Sequence, residues 1–271
     1  MRNKVYIIPT GGLCNRMRAI ASSIYLSKQM GCPATIYWNN TRGLCADFHD
    51  LFLPIQDRQI EVVENRKWLY NVEGTRDYIF RWPFLNLTHK IIFNHDKYSK
   101  GDFVLGKDGK SMCRKLLVIS CHSMCQHFNL KELFVPRPDI QERINSVCAP
   151  FDEHTIGVHI RRTDNIQSIN NSPIESFYHI LAEEVKRNPA VKFYLASDDK
   201  SVKKDFLERY PNRIITCDNK TERSSLEGMK SAVVDLYCLS MTKKIIGSDY
   251  SSYSQIAAEM NGIQLEYAKI Q

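Results

Sequence analysis

Residues 155–164, with the sequence TIGVHIRRTD, contain a short apolar run that stops at two arginines and an aspartate. This pattern predicts a buried parallel strand over 155–160 that ends in a site, because open α/β sheets bind ligands at the carboxyl ends of their strands. The guanidiniums of Arg161 and Arg162 suit a phosphate, since arginine presents a fixed fork of donors. His159 and Asp164 are the neighbouring polar groups. The alternative is a surface turn with solvated charges.

The chain after residue 155 alternates predicted strands with predicted helices. The strands are expected at 155–160, 191–196, 213–216, 244–247 and 263–267. The first helix is expected to open at Ser172-Pro173-Ile174-Glu175, with a capping box and proline at its first position. Such alternation indicates a parallel sheet with right-handed crossovers.

The first half of the chain repeats this arrangement less regularly. Strands are expected at 5–9, 34–38 and 116–120, and helices at 15–30 and 138–147. The region from about 40 to 110 is aromatic and is expected to be rich in loops. The predicted fold class is α/β, with two Rossmann-like parallel-sheet halves facing a cleft. We expect an N-terminal domain over 1–150 and a C-terminal domain over 151–271, with Ala149-Pro150 as the hinge.

Composition limits the partners that this chain can have. The 271 residues carry a net charge of +7, which favours anionic ligands. Basic residues form no dense stripe with interleaved aromatics, so nucleic acid is not expected. No apolar run approaches the roughly 18 residues of a membrane span, so we expect no integral membrane segment. Residues 1–8 do not resemble a signal peptide, which favours a cytoplasmic location.

The nine cysteines raise the question of a metal site. Cys121-His122 and Cys125-Gln126-His127 form a Cys/His cluster, but no second ligand pair follows at the usual zinc spacing. Free, largely buried thiols are therefore expected, and no metal.

Polar residues also follow other predicted strands. Gly12 and Asn15 lie in a glycine turn that opens a helix, where free N–H groups can hold an anion. Two further polar groups are Asp198-Asp199, after strand 191–196, and Ser251-Ser252, after strand 244–247. For each of these groups, an ordinary turn or a helix cap is the alternative to a ligand site.

Asp235 stands among the apolar residues of a predicted helix. A buried carboxylate requires a partner, because burying a charge without one is costly. The adjacent N1–H and N2–H donors of guanine could supply that partner, and so could a structural hydrogen bond within the protein.

The second half resembles the fucosyltransferase superfamily that includes core α1,6-fucosyltransferases, nodulation fucosyltransferases and protein O-fucosyltransferases, and it is most similar to the α1,6 group. The resemblance rests on segments that occur in the same order and spacing: 159–164 (HIRRTD), 173–177 (PIESF), 193–199 (FYLASDD), 210–211 (YP), 234–236 (VDL), 239–240 (LS), 251–252 (SS) and 257–259 (AAE). Residues 11–16 (GGLCNR) resemble the first glycine-rich loop of that superfamily more loosely.

The resemblance implies a GT-B-like fold and metal-independent transfer of fucose, with inversion, from GDP-fucose to an oligosaccharide acceptor. GDP-fucose would be the donor substrate, and no cofactor would be needed. The N-terminal domain would then face the acceptor, and the C-terminal domain would bind the donor.

The resemblance also implies roles for single residues. Arg161 would hold the β-phosphate, His159 and Asp235 would meet the guanine, and Ser251 or Ser252 would contact the diphosphate. Asp198 and Asp199 would organise the donor pocket, and Arg162 and Asp164 would shape the site. The residues expected to act in catalysis are Arg161, Asp164 and Asp199.

The stretch 165–171 (NIQSINN) departs from the α1,6 pattern, which has a lysine directly after the aspartate and a glutamate a few residues later. Either the general base comes from elsewhere, with Asp164, Asp47 and Asp50 as candidates, or the transition state needs none. The acceptor and the linkage stay open. The alternatives are the same fold using another nucleotide sugar, and a non-catalytic protein that binds GDP-sugars or glycans.

Overall fold

The computed structural model describes residues 3–41, 43–64, 67–73, 75–93, 115–123, 129–217 and 224–269. The chain divides into two compact units, Met1–Arg137 and Pro138–Gln271. This division precedes the helix Pro138–Cys148, whereas the boundary expected from the sequence follows it at residue 150. The helix packs against Leu226–Ser240, a helix of the second unit, which explains the difference.

The first unit contains a parallel sheet. In chain order its strands within the described residues are β1 (Lys4–Pro9), β2 (Ala34–Trp38), β3 (Ile60–Glu64), β4 (Lys90–Phe93) and β5 (Lys115–Ser120). In space they lie in the order β3-β2-β1-β5-β4, and each pair is parallel. The described helices of this unit are α1 (Leu13–Gln29), α2 (Phe48–Leu51), α3 (Thr75–Asn86) and α4 (Leu130–Leu133), with a 3₁₀ turn at Trp68–Tyr70.

The expectation that residues 40–110 are mostly loop is wrong for the described part of that region. It contains α2, β3, α3 and β4. Two of these elements have only four residues, too few to show a period. Helix α3 contains Pro83, and several of its large apolar residues face solvent, so its sequence lacks the usual amphipathic pattern.

The second unit contains the sheet that the sequence indicates most clearly. Its strands are β6 (Thr155–Ile160), β7 (Lys192–Ser197), β8 (Ile214–Ile215), β9 (Lys244–Gly247) and β10 (Gln264–Tyr267). Within the described residues they lie in the order β10-β9-β6-β7-β8, all parallel. The predicted strands are confirmed to within one residue at each end, and the α/β fold class with two parallel sheets is confirmed.

Helices cover this second sheet. Those in the described residues are α5 (Pro138–Cys148), α6 (Ile166–Asn171), α7 (Ile174–Arg187), α8 (Lys200–Arg209), α9 (Leu226–Ser240) and α10 (Ser252–Asn261). Phe177 and Leu181 of α7 pack with Phe193 of β7 and Phe206 of α8 in one buried core. All six residues of β6 are buried, as a central parallel strand requires.

The predicted start of α7 needs a correction. Pro173 precedes the helix as its N-cap residue rather than occupying the first helical position, and it makes no side-chain cap. Ser172 does not serve the expected capping box, because its Oγ accepts a hydrogen bond from the N–H of Asp249 at 2.9 Å. This bond joins the start of α7 to the loop after β9.

None of the helices within the described ranges combines the length and the apolar character that a bilayer-spanning segment needs.

Candidate functional site

The carboxyl ends of three neighbouring strands meet at one edge of the second sheet. In the pairing register, His159 of β6 lies opposite Ala196 of β7 and Gly247 of β9. The residues that follow these strands, beginning at Arg161, Asp198 and Ser248, therefore adjoin one another. Three of the four polar groups singled out in the sequence are thus brought together by the sheet.

Arg161 is the charged centre of this edge. Its Nη1 lies 2.9 Å from Asp198 Oδ2, and its Nη2 also pairs with Asp164. Its backbone N–H donates to Ser248 Oγ at 3.0 Å. The side chain is only 9% exposed, whereas that of Asp164 is 59% exposed. An incoming anion would thus compete with a carboxylate that is largely exposed to solvent.

Asp198 holds the turn after β6 in shape. Besides pairing with Arg161, its Oδ1 accepts from the N–H of Arg162 at 2.8 Å, and its Oδ2 accepts from Thr163 Oγ1 at 2.7 Å. Both oxygens of Asp198 are therefore engaged by the turn and by Arg161. Asp198 thus fixes the turn that carries Arg161, and its expected role in organising a donor pocket stays a prediction.

The two arginines of the turn have different surroundings. The Nη2 of Arg162 donates to the carbonyl of Ser172 at 2.7 Å, and its guanidinium lies 6.0 Å from the ring centre of Phe177. Burial lowers the pKa of Arg162 from its ordinary value. Arg162 therefore stabilises the junction with α7, while Arg161 faces the pocket described next.

A pocket of about 70 Å³ opens beside Arg161. Strands β6 and β7 and helices α9 and α10 supply its wall, which includes His159, Arg161, Asp198, Ser231, Asp235 and Tyr253. The wall combines one guanidinium, hydroxyls, carboxylates and an aromatic ring. Such a set suits a polar ligand with an anionic part and a flat ring.

His159 enters this pocket as a neutral imidazole. Its Nδ1 lies 2.7 Å from Ser254 Oγ, and its ring stacks on that of Tyr253 with 4.8 Å between centres. Burial lowers the pKa of His159 to about 4, although the charge of Asp198 opposes the shift. The side chain therefore offers hydrogen bonding rather than charge at neutral pH.

Asp235 has a partner within the protein. Its Oδ1 accepts from the hydroxyl of Tyr194 at 2.5 Å. Burial raises the pKa of Asp235 and also the pKa of Tyr194. The structural hydrogen bond, one of the two explanations left open by the sequence, is therefore present. Because Asp235 also lines the pocket, its contact with a guanine stays a prediction.

Asp199 and Ser251 are both N-cap residues, but only Asp199 caps its helix with its side chain. The Oδ1 of Asp199 accepts from Ser201 N at 2.8 Å and Ser201 Oγ at 2.6 Å, so it caps α8. These bonds lower the pKa of Asp199. Ser251 is buried at the N-cap of α10 but forms no side-chain cap, and Ser252 is the first residue of that helix. Capping thus accounts for Asp199 but not for Ser251. The catalytic role expected of Asp199 and the diphosphate contact expected of Ser251 stay predictions.

In the first unit, the glycine turn opens α1 as expected. Gly11 has a φ of 77°, a left-handed conformation that favours glycine, and Gly12 is the N-cap residue. The Oδ1 of Asn15 is buried and has no hydrogen-bond partner among the described residues. Gly12 and Asn15 remain predicted donor contacts.

Arg16, in the first turn of α1, is a residue to which sequence reasoning assigned no role. Its guanidinium donates to the carbonyls of Gly11 (2.9 Å) and Asn39 and to Thr41 Oγ1 (3.0 Å), and it lies over the ring of Trp38. Burial lowers the pKa of Arg16 to about 10. The signal available in the sequence was a charged residue in the first turn of a helix whose neighbouring residues are apolar. Arg16 holds the glycine turn in place.

The other two candidates for a general base, Asp47 and Asp50, also form hydrogen bonds within the protein. Asp47 and Asp50 form a reciprocal capping box at the start of α2, in which Asp47 N donates to Asp50 Oδ2 at 2.9 Å. Cys125 and His127, which raised the possibility of zinc, lie outside the described residues. Within the described ranges, no group of three or more His, Cys, Asp or Glu side chains is placed to hold a metal ion.

Solved structures of known proteins share this fold. The fucosyltransferase NodZ from Bradyrhizobium shares the fold with 18% identity and a TM-score of 0.62, over 95% of this chain and 92% of that chain. A GDP complex of a mutant of Arabidopsis thaliana FUT1 has 14% identity and a TM-score of 0.64, over 98% of this chain and 70% of that one. POFUT1 in complex with GDP-fucose has 12% identity and a TM-score of 0.59, over 100% and 98%.

A family model described as alpha-(1,6)-fucosyltransferase N- and catalytic domains matches residues 125–261. This segment is half of the chain and contains the whole site of the second unit, and it confirms the resemblance to fucosyltransferases seen in the sequence. The chain therefore belongs to the alpha-(1,6)-fucosyltransferase family of glycosyltransferases.

Proposed function

We propose that this enzyme transfers fucose from GDP-fucose to a glycan acceptor, with inversion at the sugar carbon and without a metal ion. The observation that carries the proposal is the position of Arg161, at the carboxyl end of β6 and in the wall of the pocket. Structures of NodZ soaked with GDP-fucose and of POFUT1 with GDP-fucose have the same fold, which supports this donor. The second unit would bind the donor, and the first would face the acceptor.

Arg161 supplies the charge that this reaction needs. Cleavage of the bond between the sugar carbon and the β-phosphate oxygen leaves negative charge on the departing GDP and oxocarbenium character on the sugar. A guanidinium binds two phosphate oxygens at once. Without a ligand, Asp164 and Asp198 balance the charge of Arg161. The diphosphate displaces the exposed Asp164, while Asp198 continues to hold the guanidinium.

The displaced Asp164 is then available as the general base. It lies three residues from Arg161 on the solvent side of the turn, where an acceptor hydroxyl would approach. Asp47 and Asp50, by contrast, bond to each other across the cap of α2. Of the three candidates, Asp164 is therefore the best placed to accept the proton of the acceptor hydroxyl.

The hydrogen bonds of the two adjacent acids support the proposal that no metal is needed. Both oxygens of Asp198 serve the turn after β6 and Arg161, and Asp199 caps α8. Both oxygens of Asp198 and one oxygen of Asp199 are thus engaged within the protein, which leaves them less able to bridge a cation to a phosphate. Full activity after treatment with EDTA supports this part of the proposal. Activity that is lost with EDTA and restored by manganese contradicts it.

The same site could accept another nucleotide sugar, and one observation favours this second candidate. The hydroxyl of Tyr194 already satisfies one oxygen of Asp235, which weakens the need for a guanine at that position. Calorimetric titration with GDP, UDP and ADP separates the two candidates. Tight binding of GDP alone supports the fucose donor, and equal or tighter binding of UDP or ADP supports the second.

The decisive experiment for the activity incubates the enzyme with GDP-fucose and a panel of glycans. Released GDP and fucosylated product are measured, and the anomeric configuration of the product is read by NMR. A product with the configuration opposite to that of the donor supports inverting transfer. Binding of GDP-fucose with no release of GDP and no product, under all conditions, supports a non-catalytic binding protein.

A further inference from the structure

Helix α3 of the first unit presents large apolar side chains to solvent. We call the following six residues the apolar face: Trp68 (51% exposed), Ile79 (65%), Phe80 (70%), Trp82 (45%), Phe84 (54%) and Leu87 (84%). The ring of Trp68 contacts those of Phe80 and Phe84 edge to face, with centres 6.2 and 5.9 Å apart. Trp68, Phe80 and Phe84 therefore form one continuous aromatic surface, and Ile79, Trp82 and Leu87 are exposed close to them in the chain.

The helix is amphipathic, but its apolar side faces solvent. With about 100° of rotation per residue, Ile79, Phe80 and Phe84 fall on one side of α3. The opposite side carries Leu85, which is fully buried, and Arg81, whose Nε donates to the carbonyl of Trp68 at 2.7 Å. A helix of a globular protein normally buries its apolar side. A group of large exposed apolar side chains on one helix therefore marks an interaction site.

The charges around the apolar face show which partner fits it. Arg76 is exposed one turn before Ile79 and Phe80, on the same side of the helix. Lys90 and Lys115 are exposed at the first positions of β4 and β5, which pair beside the end of α3. Lys115 also lies directly opposite Lys4 in the register of β1 and β5. Arg76, Lys90 and Lys115 thus outnumber the nearby acids Glu73 and Asp77, of which Asp77 is paired with Arg81, in a chain of net charge +7.

This combination does not suit a second copy of the chain. A symmetric dimer through the apolar face would bury the cations of two copies at the edges of one interface, and like charges oppose association. Tryptophan and phenylalanine beside cations are instead typical of surfaces that lie in the headgroup region of a bilayer. Negatively charged lipids attract such cations at short range.

We propose that the apolar face of α3 is a membrane-contact surface, which inserts its aromatic side chains into the interface of a bilayer containing anionic phospholipids. Arg76, Lys90 and Lys115 meet the lipid phosphates. The protein then lies on the bilayer without crossing it, held by shallow apolar burial and by charge. None of the residues of this surface is among those that line the donor pocket.

The proposal is tested by co-sedimentation of the full chain with two kinds of vesicle. One is phosphatidylcholine alone, and in the other phosphatidylglycerol replaces a third of it. Binding is expected to the anionic vesicles and to weaken in high salt. The double variant Phe80→Ser/Phe84→Ser should lose about tenfold or more in partitioning, and Arg76→Gln several-fold. Thermal unfolding of each variant verifies that it is folded.

A matched control is Leu207→Ser/Met241→Ser, which removes exposed apolar side chains (45% and 59%) from the second unit. It should bind vesicles as the native chain does. Failure of the native chain to bind anionic vesicles overturns the proposal, as does equal binding by the folded Phe80→Ser/Phe84→Ser variant. A native dimer in sedimentation that the same variant dissociates, without vesicle binding, assigns the face to a second copy and also overturns it.

Discussion

The guanidinium of Arg161 and the carboxylate of Asp198 form an ion pair of 2.9 Å between residues that follow two neighbouring strands. The same carboxylate accepts from the backbone N–H of Arg162, so one side chain fixes both the charge and the turn that carries it. The strand register brings these two residues together, because Ile160 lies opposite Ser197.

Replacement of Asp198 tests this relationship. Asp198→Ala removes the acceptor of several hydrogen bonds and leaves a nearly buried guanidinium with one exposed partner. We expect a loss of about 2–4 kcal/mol in the free energy of unfolding, measured by guanidinium chloride denaturation. Asp164→Ala removes the exposed partner and should cost at most about 1 kcal/mol. Equal losses for the two variants would show that Asp198 does not organise the turn.

The stability of the second unit should fall in mild acid because of His159. Its pKa falls from the usual 6.5 to about 4 on folding, so the unfolded chain takes up the proton first. The contribution of the neutral imidazole is therefore present above pH 6.5 and is lost as the pH drops towards 4, by about 1.4 kcal/mol for each pH unit.

The matched variant for this prediction is His159→Asn, which has no titrating side chain there. The free energy of unfolding of the native chain, minus that of the variant, should decrease between pH 6.5 and pH 4 by an amount on the order of 3 kcal/mol. The other titrating groups are common to both proteins and cancel. A difference that stays constant over this interval would mean that His159 titrates normally.

Gly247→Ala should disturb the contact between β9 and α10. A Cβ at this position would lie 2.5 Å from Ser254 Oγ and 2.7 Å from Ser254 Cβ, and Ser254 is the hydrogen-bond partner of His159. We expect a loss of about 1–3 kcal/mol in thermal or chemical unfolding, together with weaker GDP binding. Gly43→Ala is the control, since a Cβ there meets no heavy atom within 4 Å. If both variants are equally stable, the close packing at Gly247 is refuted.

Asp235→Asn separates a guanine contact from a structural role. If Asp235 binds guanine, the variant should bind GDP about ten- to a hundredfold more weakly, with less effect on any ADP binding. Tyr194→Phe is the matched control, because it removes the internal partner of Asp235 and leaves the carboxylate in the pocket. Normal GDP affinity in Asp235→Asn, with a melting temperature as low as that of Tyr194→Phe, would make the residue structural.

The sequence predicted the second sheet well because its strands are short apolar runs bounded by glycine, proline and polar caps. It also predicted that Arg161, Asp198 and the loop after Gly247 would meet, since parallel strands share one carboxyl edge. The elements between β2 and β5 were missed because two have four residues and α3 turns its apolar side to solvent.

Partners that are distant in the chain could not be predicted. The hydroxyl that satisfies Asp235 belongs to Tyr194, 41 residues earlier, and two of the groups bonded to Arg16, at Asn39 and Thr41, follow β2. Asp199 and Ser251 have the same sequence signature of a polar residue before a helix. Only the positions of the neighbouring N–H groups distinguish the cap of α8 from the uncapped start of α10.

The most direct test of the central claim, that Arg161 binds and stabilises the departing nucleotide diphosphate, is GDP release from GDP-fucose by native enzyme and by Arg161→Ala. Arg187→Ala, which removes a largely exposed arginine of the same unit, is the control. The expected result is a loss of at least about a hundredfold in Arg161→Ala, with folded protein and unchanged activity in the control. Native activity in a folded Arg161→Ala variant would contradict the claim.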